Sequence, residues 1–145
     1  MKEMQKKMQE LISKEELDRA FDARFPKNMQ RKLRSAKVAI AGLGGLFCEY
    51  PIVCEAFDRP DQKAMLVREL LTQCPKTTVI SGNGMAGYAD INEIKTCQMM
   101  QRLYVCGDQS TDVGDGIGLI APRVSACAAH QANKVLQLVM QAQYE

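Results

Sequence analysis

The chain has 145 residues, 46% of them apolar and 25% charged, with a formal net charge of +2; this is the composition of one globular domain able to bury a core. So small a charge argues against a strong role on nucleic acid or on an anionic membrane surface. No apolar run approaches the ~20 residues that span a bilayer, and MKEMQKKMQELISKEEL has no apolar signal core, so a cytoplasmic protein is expected.

Residues 2–22 place Met4, Met8, Leu11, Ile12, Leu17 and Phe21 at helical intervals, which predicts an amphipathic helical segment. Ser13 followed by Glu16 has the pattern of a capping box, so a break near Ser13 separates two helices. A short helix over 28–35 leads into the first strand. The basic residues Lys27, Arg31, Lys32, Arg34 and Lys37 read as a solvated helical face. The methionine stripe reads as a packing or dimer face.

Residues 37–46, KVAIAGLGGL, form a short apolar strand that runs into a glycine turn. Glycines at 42, 44 and 45 let the backbone turn tightly and approach a phosphate without intervening side chains. A second strand is predicted over 51–57, then a helix over 62–74 with Met65, Leu66, Leu70 and Leu71 as its buried stripe. A third strand over 77–80 ends in the loop SGNGMAGY, and a strand pair covers 94–100 and 102–106. The acidic loop GDQSTDVGDGIG lacks the D-x-D-x-D-G spacing and closing Glu of a calcium loop. Pro122 suits the first turn of a last helix, whose apolar face is Val124, Cys127, Ala128, Val135, Leu138 and Val139. The expected fold is α/β, a truncated Rossmann-like sheet with flanking helices: an N-terminal helical segment, 1–36, and a nucleotide-binding-like domain, 37–145.

Six cysteines, none in C-x-x-C and most in apolar runs, read as small hydrophobes in a reducing compartment, with no zinc knuckle. His130, the single histidine, lacks a paired nucleophile in sequence and reads as structural or exposed.

Taken in order, KVAIAGLGGL, IVCEAFDRPDQKAML, SGNGMAGY and GIGLIAPRVSACAAHQAN resemble the ThiF family, adenylyltransferases of sulfur-carrier proteins related to MoeB and the ubiquitin-activating enzymes. The likeness covers most of residues 37–140. It implies an enzyme that binds ATP and Mg²⁺ and transfers AMP to the C-terminal glycine carboxylate of a small ubiquitin-like sulfur carrier, by default in thiamin biosynthesis. By that resemblance Gly42, Gly44 and Gly45 form the nucleotide loop and Asp58 is the metal-binding carboxylate. Lys63 and Arg24 stand for basic residues that neutralise phosphate charge. Family members are commonly dimers, so a homodimer is within what the resemblance implies. Some relatives carry a sulfur-relay cysteine; Cys97 and Cys106 lie in the corresponding half, but neither has a charged sequence neighbour to activate it.

One departure is large. In the family the glycine turn continues into a helix, a ribose-binding acid and further basic residues, whereas here GLGGL passes directly to FCEYPIVCEAFD. Parallel neighbouring strands need a crossover of about a dozen residues or more, and residues 47–51 span only ~17 Å when extended. Either the two strands pair antiparallel, or the link runs along the sheet with no helix over that face. Two further readings therefore stand beside the adenylyltransferase. One is a non-catalytic remnant of the fold that serves dimerisation or carrier binding. The other is an ordinary Rossmann dinucleotide binder, for which no substrate base is evident.

Overall fold

The computed structural model describes residues 12–41 and 48–142. Gly42, Gly44 and Gly45 lie outside the described residues, as do Met4, Met8 and Leu11. The chain divides into two compact units, one holding the N-terminal helices and the other Lys37–Ala142.

In the first unit α1 (Lys14–Arg24) starts at the capping box expected at Ser13. The Ser13 hydroxyl accepts the Glu16 N–H at 3.1 Å and the Glu16 carboxylate accepts the Ser13 N–H at 2.9 Å. After Pro26 the chain enters α2 (Lys27–Ser35). Gln30 Nε2 donates to the Phe25 and Asp22 carbonyls at 2.7 and 3.1 Å, pairing groups left over at the end of α1. Arg34 reaches back to Asp18 and Asp22 and lies 4.6 Å from the Phe21 ring centroid. Neither helix contains a buried residue.

The second unit is an α/β layer structure. Its strands are β1 (Val38–Ala41), β2 (Ile52–Glu55), β3 (Thr78–Gly82), β4 (Lys95–Met100) and β5 (Leu103–Gly107), in spatial order β1-β2-β3-β5-β4. β1, β2, β3 and β5 run parallel, and β4 pairs antiparallel with β5. α3 (Pro60–Gln73) joins β2 to β3 as a crossover helix, and α4 (Ala121–Gln141) follows β5.

Of the two ways to join the first strands, the structure takes the parallel one. Val38 lies opposite Ile52 and Ala41 opposite Glu55, and the ladder continues through Ala56 N–H to the Ala41 carbonyl at 3.0 Å. The link is residues 42–51, shorter than the usual crossover. One face of β1, Ala39 and Ala41, joins Val53, Leu70, Cys74, Val79 and Leu103 in the core beneath α3. On the opposite face the row Ile80, Cys54, Ile40 runs from fully buried on β3 to 66% exposed on β1. That face is covered by α4 over β3 and open at β1.

The α3 stripe differs from expectation at one position: Met65 is exposed, whereas Leu66, Val67 and Leu71 pack against the core around Leu70. α3 ends on Arg102, whose guanidinium donates to the carbonyls of Leu71, Cys74 and Thr77 at 2.9, 2.9 and 2.7 Å. The first two are carbonyls that a helix end must pair elsewhere, and the third lies just before β3. Cys74 at this end is bonded to Cys48, with a Cα–Cα separation of 4.9 Å. The reading of all six cysteines as isolated hydrophobes is therefore corrected for this pair. The other four, Cys54, Cys97, Cys106 and Cys127, are free. The cross-link spans 26 residues, and closing a loop of that size removes about 3 kcal/mol of unfolded-chain entropy. The pairing is invisible in sequence because it follows from the parallel register of β2 and β3, in which Ile52 lies opposite Thr78, so that Cys48 and Cys74, each four residues before its strand, come level at the end of α3.

Two outcomes test this architecture. A Cβ at Gly107, where φ is +139°, would lie 1.8 Å from the Asn83 carbonyl oxygen. Gly107→Ala is expected to cost about 3 kcal/mol in urea unfolding. Unreduced protein, unfolded in denaturant, is expected to titrate four thiols with a disulfide reagent, the number left free here; six would mean that Cys48 and Cys74 are not joined.

Candidate functional site

The C-terminal ends of the parallel strands are where an open α/β sheet presents its ligand crevice. Here the ends of β2 and β3 open on a cavity of about 790 Å³, within the range of small-molecule sites. Glu55, Asp58, Lys63, Ser81, Asn83 and Gln131 supply much of its polar lining, among apolar groups from α3, β5 and α4.

Glu55, the last residue of β2, is fully buried. Its Oε2 accepts from Lys63 Nζ at 2.7 Å and from Ser81 Oγ at 2.6 Å. Its Oε1 accepts the Phe57 N–H at 2.5 Å, and its backbone carbonyl accepts Gln131 Nε2 at 2.9 Å. β2, α3, β3 and α4 thus converge on one residue. The reason lies in the strand period: Val53 and Glu55 share the face that meets α3, and Lys63 sits in the first turn of that helix. An unpaired carboxylate this deep would cost several kcal/mol, and the lysine and the serine hydroxyl offset it.

A second buried pair joins the end of β5 to the start of α4. Asp108 follows β5 and bonds the guanidinium of Arg123, each side chain being 3% exposed. Asp108 also accepts from the backbone of Ser110 and Thr111 at 2.8 and 2.9 Å and from the Thr111 hydroxyl at 2.8 Å. Burial alone would raise its pKa, but the hydrogen bonds from Thr111 and Ser110 outweigh burial and leave it below its ordinary 3.8. A cation in the first turn of α4 opposes the helix dipole, so Asp108 is what makes Arg123 tenable there. Arg123 also donates to the Asp90 carbonyl at 2.8 Å.

The loop after β3 is fitted against this anchor. Asp108 N–H bonds the Gly84 carbonyl at 2.7 Å and Gln109 N–H the Asn83 carbonyl at 3.2 Å. Gly84 has φ +81°, and a Cβ there would fall 2.1 Å from an Asp108 carboxylate oxygen. The glycine in SGNGMAGY is thus required by contact with Asp108. In the acidic loop Asp112 and Asp115 cap the 3₁₀ turn Val113–Asp115, so these carboxylates serve the local backbone.

Of the residues expected at a site, Asp58 and Lys63 share the cavity. Asp58 is exposed, whereas the Lys63 side chain is 20% exposed and committed to Glu55. Arg24 belongs to the N-terminal unit. The glycines 42, 44 and 45 are outside the described residues. Among the described residues no group of three or more His, Cys, Asp or Glu side chains is placed to hold a metal. One carboxylate such as Asp58 nevertheless suits Mg²⁺, which commonly binds through one or two carboxylates plus substrate phosphates.

The sequence reading passed over Glu55, Ser81, Arg123 and Asp108. Glu55 had one available signal, a charged residue inside the apolar run IVCEAF, which requires a buried partner. Arg123 had none, since Pro122 and Val124 account for its neighbourhood as a helix start. The remaining thiols behave as structural groups: burial pushes the Cys54 and Cys127 thiols up to about 11 and raises Cys106. His130 Nδ1 lies 3.0 Å from the Thr96 hydroxyl, in a half-buried contact between α4 and β4.

No family model, no curated protein and no solved structure matches this chain.

The Asp108 environment yields a pH dependence. Because the folded value is depressed, the unfolded chain takes up the proton first. The stabilisation is complete above the unfolded value and is lost as pH falls from there through the folded one. Asp108→Asn is expected to lose about 3 kcal/mol or more at neutral pH, through an unpaired Arg123, and to flatten the stability decline below about pH 4. Urea midpoints measured across a pH series check both.

Proposed function

We propose that the chain is a ThiF-type ATP-dependent adenylyltransferase that activates the C-terminal glycine of a small ubiquitin-like sulfur carrier. The observation that carries this reading is that Asp58 and Lys63, which the family resemblance names from sequence, line a single cavity at the C-terminal ends of parallel strands. The order of the four sequence segments supports it further.

In the proposed reaction a carboxylate oxygen of the carrier's terminal glycine attacks the α-phosphorus of ATP. The bond to the bridging oxygen breaks, and pyrophosphate leaves with that electron pair. The acyl-adenylate formed is then open to a sulfur nucleophile. Asp58 would hold Mg²⁺ together with the phosphates, and the ion would supply charge neutralisation there. Lys63 adds a positive charge in the same cavity, whose lining also includes the apolar Val67, Leu71 and Val105. By the family resemblance Gly42, Gly44 and Gly45 would belong to the nucleotide loop.

The second reading, a carrier-binding remnant without catalysis, is favoured by one observation. Residues 42–51 join parallel neighbours in fewer residues than crossovers use, a length that leaves little chain for the helix whose N-terminus usually completes a phosphate site.

Pyrophosphate exchange into ATP, measured with a carrier ending in Gly-Gly, separates the two. Exchange above background is expected for the wild-type chain. In Asp58→Ala it is expected to fall about a hundredfold, with the thermal midpoint unchanged because Asp58 is exposed. Carrier binding with no exchange would replace the catalytic reading by the remnant. An unchanged rate in Asp58→Ala would remove the metal assignment.

A further inference from the structure

Lys63 carries a side chain with four rotatable carbons, yet its ammonium has one position, 2.7 Å from Glu55 Oε2. Glu55 is itself bonded from several sides. Its carboxylate is fully buried and takes donors from β3 and from the Phe57 backbone as well as from Lys63, and its carbonyl is bonded by Gln131. A lysine in water distributes its charge over many rotamers, and ordering it costs about 1.5–2 kcal/mol. Here that cost is met on folding, because leaving Glu55 unpaired would cost more.

We propose that Glu55 is the positioning residue of the crevice, holding the Lys63 ammonium at the cavity wall so that its remaining N–H donors are directed to an anionic group bound there. This rests on the nucleotide reading for the identity of the anion, a phosphate oxygen, but the hold on Lys63 is a property of this chain alone. Lys63 has three donors and spends one on Glu55 Oε2. Ser81 Oγ, 2.6 Å from the same oxygen, fixes that oxygen from the side of β3. The ammonium is therefore held in place while two of its donors stay available. Glu55 touches no ligand in this scheme and acts through the lysine.

The isosteric change Glu55→Gln separates this role from a scaffolding one. A glutamine fills the same volume and can still accept the Phe57 N–H, but the amide nitrogen then turned toward Lys63 and Ser81 is a donor. Acylation of the full chain with a small amine-reactive anhydride, followed residue by residue by mass spectrometry, reads the hold on Lys63 without requiring activity. The exposed Lys95 serves as internal reference. In wild type Lys63 is expected to react slowly relative to Lys95. In Glu55→Gln its relative rate is expected to rise about tenfold, the size of a lost charge-assisted hydrogen bond. Ser81→Ala, which keeps the ion pair, is expected to shift it about threefold in the same direction and serves if Glu55→Gln does not fold. Titration of Mg·ATP by calorimetry is expected to show affinity about tenfold weaker in Glu55→Gln.

A folded Glu55→Gln whose Lys63 reacts as in wild type overturns the proposal. So does a rise in reactivity with unchanged Mg·ATP affinity, which would reduce Glu55 to a counter-charge. A wild-type chain that binds no Mg·ATP overturns the nucleotide reading by itself, and the acylation contrast then still decides whether Glu55 holds Lys63.

Discussion

The constraint from which this structure follows is a short connection between parallel strands. β1 ends at Ala41 and β2 begins at Ile52, yet the two lie side by side pointing the same way. A connection of that length covers one sheet face poorly, and the burial pattern records it. Ala39 and Ala41 are sealed by α3, while Ile40 keeps 66% of its surface in water. An isoleucine side chain left outside forgoes about 2 kcal/mol of burial. What compensates is attachment at the far end of the link. Thr78 N–H bonds the Pro51 carbonyl and the Thr77 hydroxyl bonds the Tyr50 carbonyl, both at 2.9 Å, and Cys48 is joined to Cys74.

Two buried charge pairs then organise the strand ends, one on each side of β3. Glu55 with Lys63 faces α3, and Asp108 with Arg123 faces the start of α4. Such pairs contribute little net stability, because desolvation roughly cancels attraction, but losing one partner is severe. Their consequence is geometric. A carboxylate that accepts three donors can sit in one place only, so the strand ends and the loop after β3 are fixed before any ligand arrives, which is the condition for low reorganisation cost on binding.

Much of the fold was legible because its elements carry their own start and stop signals. Ser13 with Glu16, and Pro122, each open a helix where expected, and α3 starts at Pro60, two residues before the expected position 62. The strand pair 94–100 and 102–106 appears as the hairpin β4–β5. What failed to show was long-range. The direction of β2 relative to β1 depends on a link whose length permitted either pairing, and the partner of Cys48 depends on the register of β2 against β3. At the crevice, Asp58 and Lys63 were named by the family resemblance, and both line the cavity. Glu55 and Arg123 were missed because their importance arises from burial, which for a charged residue in a short apolar run or a helix start is set by tertiary neighbours.

The bond between Cys48 and Cys74 has a topological meaning as well. It closes a covalent ring that contains β2, α3 and, with them, Glu55, Asp58 and Lys63. A protease that cut the exposed turn at Asp58–Arg59 would open the ring without dividing the molecule. The carboxylate on one side of the nick and the ammonium on the other would remain tethered through sulfur, so the polar centre of the crevice stays on one covalent body after a single cleavage.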